Sequence, residues 1–373
     1  MKILFVIDQY DNYNNGTTMS AVRFVEGLRK SGNEVRIIST GKEDKDKYIV
    51  KEIILTPIVS YIVKSQGMCF AVPNEKALRE AISWADVVHF YMPFWLSKKG
   101  VKIAKELKVP HTAAFHVQPE NITYTLHLGK NGKVNDCIYN YFNKSFYNQF
   151  THIHCPSNFI ANELKNHNYT AKLHVISNGV DDDFHFRKVD KSSSEPYIIT
   201  MIGRYSNEKR QDVLIDAIYH SKYKDNIQLV LAGKGLNENQ YKKQGANLKY
   251  QPILKFYNKQ DLLELLSKTD SYVHSADAEI EAISCIEAFA CGNVPIIANS
   301  KKSATPQFAL DERSLFEAGN SLDLAKKIDY WLDNINERKQ MEIKYAESAE
   351  KYRLSHSIKL MEEMLHESIV ENT

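Results

Sequence analysis

The sequence predicts an α/β protein of two doubly wound parallel-sheet domains. Three observations carry this reading. Short unbroken apolar runs alternate with helical patterns along most of the chain, which is how strand–helix–strand units of a parallel sheet are written. At 373 residues the chain exceeds the size at which a single core keeps growing. Near the middle a polar, turn-rich stretch from Asp181 to Pro196 interrupts the alternation, and a fresh set of units begins after it. The expected division is 1–180 for the first domain and 181–354 for the second.

The elements follow in order. Lys2 to Asp8 reads as a buried strand by its apolar run. The polar loop Gln9 to Asn15 leads to Gly16-Thr17-Thr18 and a helix carrying Met19, Val22, Phe24, Val25 and Leu28, closed by Gly32-Asn33. Glu34 to Thr40, Asp86 to Tyr91, His111 to His116, His152 to Pro156 and Leu173 to Ile176 supply further strands. In the second half the strands are Tyr197 to Gly203, Gln228 to Gly233, Leu248 to Ile253, Ser271 to Ser275 and Val294 to Ala298. From Leu322 the chain is largely helical, with Ser355 capping a last helix that carries Ile358, Met361, Leu365 and Ile369.

Two helices of the first half suggest a surface role. In Leu96 to Lys108, Val101, Ala104 and Leu107 point inward while Lys98, Lys99, Lys102, Lys105 and Lys108 spread over the outer face. Such a helix either lies on an anionic membrane or is simply a solvated face. In Val134 to Phe150, Ile138, Tyr141, Phe142, Ser145, Phe146 and Phe150 recur at helical spacing, with Tyr139 and Tyr147 on the flanks. That is more aromatic surface than one buried stripe needs, so the segment either meets a lipid or acceptor or packs in the core.

Composition narrows the class. Hydrophobic residues make up 43% and charged residues 25%, as in ordinary globular proteins, and the net charge is +2. Five scattered cysteines without a CxxC imply reduced thiols in a cytosolic protein and argue against a zinc site. Asp8 interrupts the opening apolar run too early for a signal peptide, and no stretch approaches the roughly 20 apolar residues that span a bilayer. No basic stripe with interleaved aromatics suits nucleic acid.

The chemistry concentrates at Asp277 to Gly292. Glu279 falls in a loop after a strand, and Glu287 in the first turn of the following helix. Ligands of open α/β sheets collect at that edge. Ser284-Cys285-Ile286-Glu287 also has the form of a capping box, so Glu287 either ties down the helix start or serves a ligand there. Arg204 and Lys209 follow another strand end and could clamp a diphosphate, Arg with its planar fork and Lys as a point charge. Gly16 at a helix start offers bare backbone to an anion.

Gly-Arg-x₄-Lys at 203–209, Glu-x₇-Glu at 279–287 with Glu-Ala-Phe-Ala-Cys-Gly after it, and Ser177-Asn-Gly-Val-Asp181 resemble the retaining family 4 glycosyltransferases of GT-B fold. The stretches 115–124, 203–209, 281–287 and 308–316 are similar to bacterial cholesterol α-glucosyltransferases, part of a wider set that also glycosylates ceramide or diacylglycerol. The resemblance implies two Rossmann-like domains facing a cleft and closing over the donor, with the last helix, 355–373, crossing back to the first domain. It implies UDP-glucose or UDP-galactose as donor and a membrane lipid as acceptor, with no cofactor and no metal. The alternative is an enzyme of the same family acting on a soluble or polymeric glycan.

Carried onto this chain, Arg204 and Lys209 would bind the diphosphate, Glu287 the ribose with Ser284 and Cys285 beside it, and Glu279 the donor sugar. Gly16 would approach the phosphates, and His116 would face the transferred sugar near the acceptor hydroxyl; on the residues alone His116 is equally a core histidine. The implied place of work is the cytoplasmic face of the cell membrane. Two departures stand out. Many relatives have Gly-Phe-Gly after the first Glu, where this chain has Ile280-Glu281-Ala282. Asp181-Asp182-Asp183 contains a DxD, read here as an acidic turn at the linker rather than a cation site.

Overall fold

The computed structural model describes residues 1–11, 16–65, 67–125, 132–189 and 196–372, excepting the side chains of 58, 62 and 65. Loop residues 12–15, residues 126–131 before the aromatic helix and linker residues 190–195 fall outside that description. The chain divides into two compact units, Met1–Gly179 with Leu354–Thr373, and Val180–Arg353.

The first unit holds β1 (Lys2–Gln9), α1 (Gly16–Lys30), β2 (Glu34–Thr40), β3 (Lys47–Ile49), α2 (Pro57–Ser65), α3 (Glu75–Trp84), β4 (Val87–Phe90) and α4 (Trp95–Glu106). It continues with β5 (His111–Ala114), α5 (Pro119–Thr125), α6 (Gly132–Ser145), β6 (His152–Cys155), α7 (Asn158–Asn166) and β7 (Lys172–Val175). Its sheet runs β3-β2-β1-β4-β5-β6-β7, every pairing parallel. Ile3 to Ile7 are fully buried, as expected of a strand covered on both faces.

The second unit holds β8 (Tyr197–Ile202), α8 (Gln211–His220), β9 (Ile227–Ala232), α9 (Glu238–Gln244), β10 (Ile253–Lys255), α10 (Lys259–Lys268), β11 (Ser271–His274) and β12 (Ala278–Glu279). After these come α11 (Ile283–Ala290), β13 (Pro295–Ala298), β14 (Lys302–Ser303), β15 (Leu315–Phe316), α12 (Ser321–Asp333) and α13 (Ile335–Ser348). Six strands form a parallel sheet in the order β10-β9-β8-β11-β13-β15, while β12 pairs with β14 alone. Trp331, Tyr272, Ile286 and Phe289 are among the residues of its core.

The last helix, α14 (Leu354–Glu371), belongs to the first unit and packs on α1 and β5. A Cβ on Gly27 would fall 2.3 Å from Ile358 Cδ1, so the missing side chain lets α1 and α14 approach. Asn33 Nδ2 donates to Glu362 Oε1 at 2.6 Å.

Three expectations need correction. The strand expected at Leu248 to Ile253 forms only at Ile253–Lys255, because Pro252 interrupts the run and the strand is the half-exposed edge of its sheet. Ser355 lies inside α14, which begins at Leu354. Leu107 does not point inward; it follows the end of α4 and is 37% exposed.

Candidate active site

In the second sheet β9 and β10 lie on one side of β8, and β13 and β15 lie beyond β11 on the other. The order therefore reverses between β8 and β11, and the crevice at the carboxyl ends of such a pair is where open α/β sheets bind ligands. Two loops leave those ends, Gly203–Arg210 after β8 and Ser275–Asp277 after β11. They are fastened to each other. The Asp277 N–H donates to the Glu208 carbonyl at 2.8 Å, and the Ser275 hydroxyl reaches the Lys209 and Arg210 carbonyls at 3.0 and 2.9 Å. Arg210, in the left-handed region at φ 56°, spans from Asp212 to Asp277 with ion pairs of 3.1 Å each.

Glu279 closes this arrangement. Its carbonyl accepts the Ala304 N–H at 2.9 Å within the small β12–β14 ladder. One carboxylate oxygen, Oε1, receives both the ammonium of Lys209 and, at 3.1 Å, Nε2 of the buried His274. Burial opposes the charge, but the Lys209 ammonium and the His274 hydrogen bond outweigh it and hold the carboxyl at about 2. Nδ1 of His274 pairs with the Tyr272 hydroxyl at 3.1 Å, so the carboxylate ends a buried polar relay. Sequence reasoning passed over Tyr272 and His274. The signal was a strand whose two residues on one face are polar-tipped while the rest of its surroundings are apolar.

Beyond Glu279 the chain turns through Ala282, held at φ 67° and ψ 70°, and α11 starts at Ile283. The capping box is therefore not formed. Ala282 is the N-cap and makes no side-chain cap, while Ser284 Oγ accepts from Tyr272 at 3.3 Å and meets the Ile202 carbonyl at 3.4 Å. Cys285 is wholly buried and its N–H goes to the Ala282 carbonyl at 2.9 Å. Burial, and then the charge of Glu279, push its thiol up, so it is an inert packing residue. Glu287 lies in the second turn of α11 rather than the first, because the helix already starts at Ile283; it is 8% exposed, and Glu281 is more deeply buried at 2%.

Arg204 keeps 30% of its side chain exposed and meets Glu208 at 3.3 Å. Opposite it runs a glycine wall that the sequence reading did not single out. A Cβ on Gly233 would lie 2.0 Å from the Gly203 carbonyl oxygen, and one on Gly235 2.5 Å from that of Tyr205. The Arg204 loop thus lies directly on the chain after β9.

In the first unit the order reverses between β1 and β4. His116 follows β5 with 4% exposure, its ring flat against Tyr91 at 4.6 Å and 5°. Burial, then the neighbouring His154 and His89, hold its imidazole neutral, and its Nε2 has no hydrogen-bond partner among the described residues. A neutral, unpaired ring nitrogen can accept or give one hydrogen bond to a hydroxyl. Tyr91 is fixed by the Ser20 hydroxyl at 2.8 Å. Gly16 is the first residue of α1, exposed, with no atom of the described residues within 4 Å of where a Cβ would be. Thr17 and Thr18 follow it inside the helix.

The surface expectations change. Tyr139, Phe142, Phe146, Tyr147 and Phe150 are buried, with Phe115 against Tyr139 and Tyr147 and Phe90 edge-on to Phe150, so the aromatic segment is core; Tyr141, 58% exposed, is the exception. Of the lysines, Lys98 reaches Tyr141 and Ser145, Lys99 pairs with Glu75, and Lys105 meets Gln149 at 3.2 Å, whereas Lys102 and Lys108 are exposed. Exposed apolar side chains gather instead on the excursion around α2, with Ile54 98%, Tyr61 64% and Val72 41% exposed. Trp95, 53% exposed, packs edge-on against Phe70 of that excursion at 5.3 Å. Asp181 and Asp183 are both engaged by Lys259, at 3.0 and 2.6 Å. Among the described residues no helix is long and apolar enough to cross a membrane.

Two family profiles match the chain, "Glycosyltransferase Family 4" over residues 14–184 and "Glycosyl transferases group 1" over residues 182–349. The chain belongs to the family 4 glycosyltransferases of GT-B fold. It is 25% identical over 316 residues to the alpha-monoglucosyldiacylglycerol synthase of Streptococcus pneumoniae, covering 80% of this chain and 71% of that one. It is 24% identical over 311 residues to a GDP-mannose-dependent alpha-mannosyltransferase of Corynebacterium glutamicum, covering 80% and 72%. Among solved structures, the catalytic domain of the Helicobacter pylori cholesterol-alpha-glucosyltransferase is 53% identical, covering 42% of this chain and 99% of its own, with a TM-score of 0.41. A glycosyltransferase from Rickettsia africae is 21% identical, covering 100% and 99%, with a TM-score of 0.75.

Proposed function

We propose that this glycosyltransferase moves glucose or galactose from a UDP-sugar to the hydroxyl of a membrane lipid (a sterol, ceramide or diacylglycerol) with retention of the α configuration. The observation that carries the reading is the Lys209–Glu279 pair at the β8/β11 switch point, with Arg204 on the same loop as Lys209. There Arg204 and Lys209 neutralise the diphosphate as its charge grows, and Glu279 holds hydroxyls of the sugar through the oxygen that Lys209 and His274 leave unused. Glu287 takes the ribose hydroxyls from the second turn of α11. Glu281 is assigned to donor choice. In the first unit Gly16 offers its bare backbone to the phosphates, and His116 is assigned to the acceptor hydroxyl. The leaving diphosphate takes the acceptor proton on the same face, and no metal is required.

The lipid acceptor is supported by the likeness to a diacylglycerol glucosyltransferase and by the exposed apolar residues around α2. The enzyme is then expected to work on the inner face of the cell membrane, bound at its surface. A second donor reading rests on the mannosyltransferase relative, whose donor is GDP-mannose. Incubating the purified protein with each of the three sugar nucleotides and vesicles carrying each lipid distinguishes them, with soluble glycans as a further arm. An α-linked glycolipid from a UDP-hexose is expected. Transfer only from GDP-mannose, or only to soluble glycans, overturns the proposal.

A further inference from the structure

Away from the edge that carries His116, the amino end of β6 places His152 beside His174 of β7. His152 pairs in register with Lys172, so His174, two residues along, is on the same face of the sheet. That face meets α14, where Glu367 and Glu371 stand one turn apart. His152 Nε2 donates to Glu371 Oε2 at 2.8 Å, which turns the Nδ1 lone pair toward His174 Nε2, 2.9 Å away. One ligand atom from each of His152, His174 and Glu367 lies within 4.8 Å of the others.

We propose that His152 Nδ1, His174 Nε2 and a Glu367 carboxylate oxygen bind a borderline divalent ion of the zinc class, clamping α14 onto the first sheet. Two imidazoles and one carboxylate with room for a water is a common zinc ligand set. Glu371 supplies the outer carboxylate that ligating histidines characteristically need. Binding shifts the His174 hydrogen from Nε2 to Nδ1, so both facing lone pairs reach the ion and no net proton is released. The Lys172 ammonium, which now holds Glu367, must swing out; at 57% exposure it has solvent to enter. Glu367 and His174 are themselves partly exposed, which gives the ion a path in.

Titrating the full chain with Co²⁺ and with Zn²⁺ tests this. The expected result is one ion per chain, with the visible absorption of a four-coordinate cobalt site and a higher thermal midpoint that EDTA reverses. His174→Ala and Glu367→Gln, both at partly exposed positions that tolerate change, should abolish the absorption. Glu371→Gln should weaken binding about 10-fold, and Lys172→Ala should tighten it. Absence of stoichiometric binding overturns the proposal and leaves a hydrogen-bonded imidazole pair. Equal binding by His174→Ala overturns it too, as adventitious binding elsewhere among the histidines.

Discussion

His274 Nε2 lies 3.1 Å from Glu279 Oε1, the oxygen that also takes the Lys209 ammonium. One largely buried carboxylate thus holds two cation-capable groups, one from the end of β11 and one from the loop after β8, and its charge depends on both. Removing Lys209 alone leaves a buried acid short of its main partner, a change that typically costs about 3 kcal/mol. Lys209→Ala should therefore destabilise the protein by about that much. Lys209→Ala combined with Glu279→Ala should recover more than half of the loss, as urea unfolding of the four proteins would show. Sugar transfer should stay lost in the double variant. Strict additivity of the two destabilisations would sink the idea.

The same pair sets an acid limit. The folded carboxyl of Glu279 is depressed to about 2 from an ordinary 4.5, so its contribution is complete above about 4.5 and is lost as pH falls toward 2. Glu279→Gln should flatten this part of the acid unfolding profile. An unchanged profile would show that the pair carries no such stability.

Ala282 occupies φ 67°, where an L side chain costs roughly 1–2 kcal/mol. The Gly-Phe-Gly pattern described above for many relatives would put a glycine at this position, and a glycine would carry this φ without the strain. Ala282→Gly should stabilise the protein by about 0.5–1 kcal/mol once the added freedom of the unfolded glycine is subtracted. Thermal unfolding measures it, and a loss of stability would mean that the Ala282 methyl packs for more than its backbone costs.

Burial pushes the Asp8 carboxyl up to about 7 against the pull of the Ala71 N–H that it accepts at 2.9 Å. The folded chain holds this proton where the unfolded chain has released it, so stability from this group falls as pH rises from about 3.8 to about 7. Asp8→Asn keeps an acceptor for Ala71 and should stabilise the protein by about 1–2 kcal/mol at pH 8, after the unpaired amide is counted, and much less at pH 4. A gain equal at both pH values would contradict a buried, titrating carboxyl.

Ile54, Tyr61 and Trp95 are the side chains on which a lipid surface would act. Replacing all three by Ser should lower sedimentation with anionic vesicles at least several-fold, while Lys102→Glu with Lys108→Glu should make the residual binding less salt-sensitive. Retention of vesicle binding by the triple Ser variant would place the contact elsewhere.

Much of this was legible before the structure. The parallel strands could be read because a strand buried on both faces is an unbroken apolar run, as Ile3 to Ile7 are. Glu279, Lys209 and Arg204 could be singled out as candidates because they follow strand ends. What escaped depended on partners distant in sequence. His274 gained its meaning from Glu279, and Gly233 from its contact with Gly203. The aromatics of α6 and the turn after it looked superfluous until Phe90 and Phe115 supplied the other side of their packing. The capping box failed because Ala282 turned the chain into the helix before Ser284 could cap it.

The return of α14 to the first unit has a consequence for synthesis. The first sheet emerges from the ribosome long before Leu354–Glu371, so the face that receives α14 stays uncovered while the whole second unit is made. At 5–20 residues per second, a typical elongation rate, that wait is on the order of ten seconds or more. The second unit is contiguous and needs no later segment. Nascent chains released before Leu354 should therefore protect Val180–Arg353 from protease while the first unit remains open to cleavage and to chaperones.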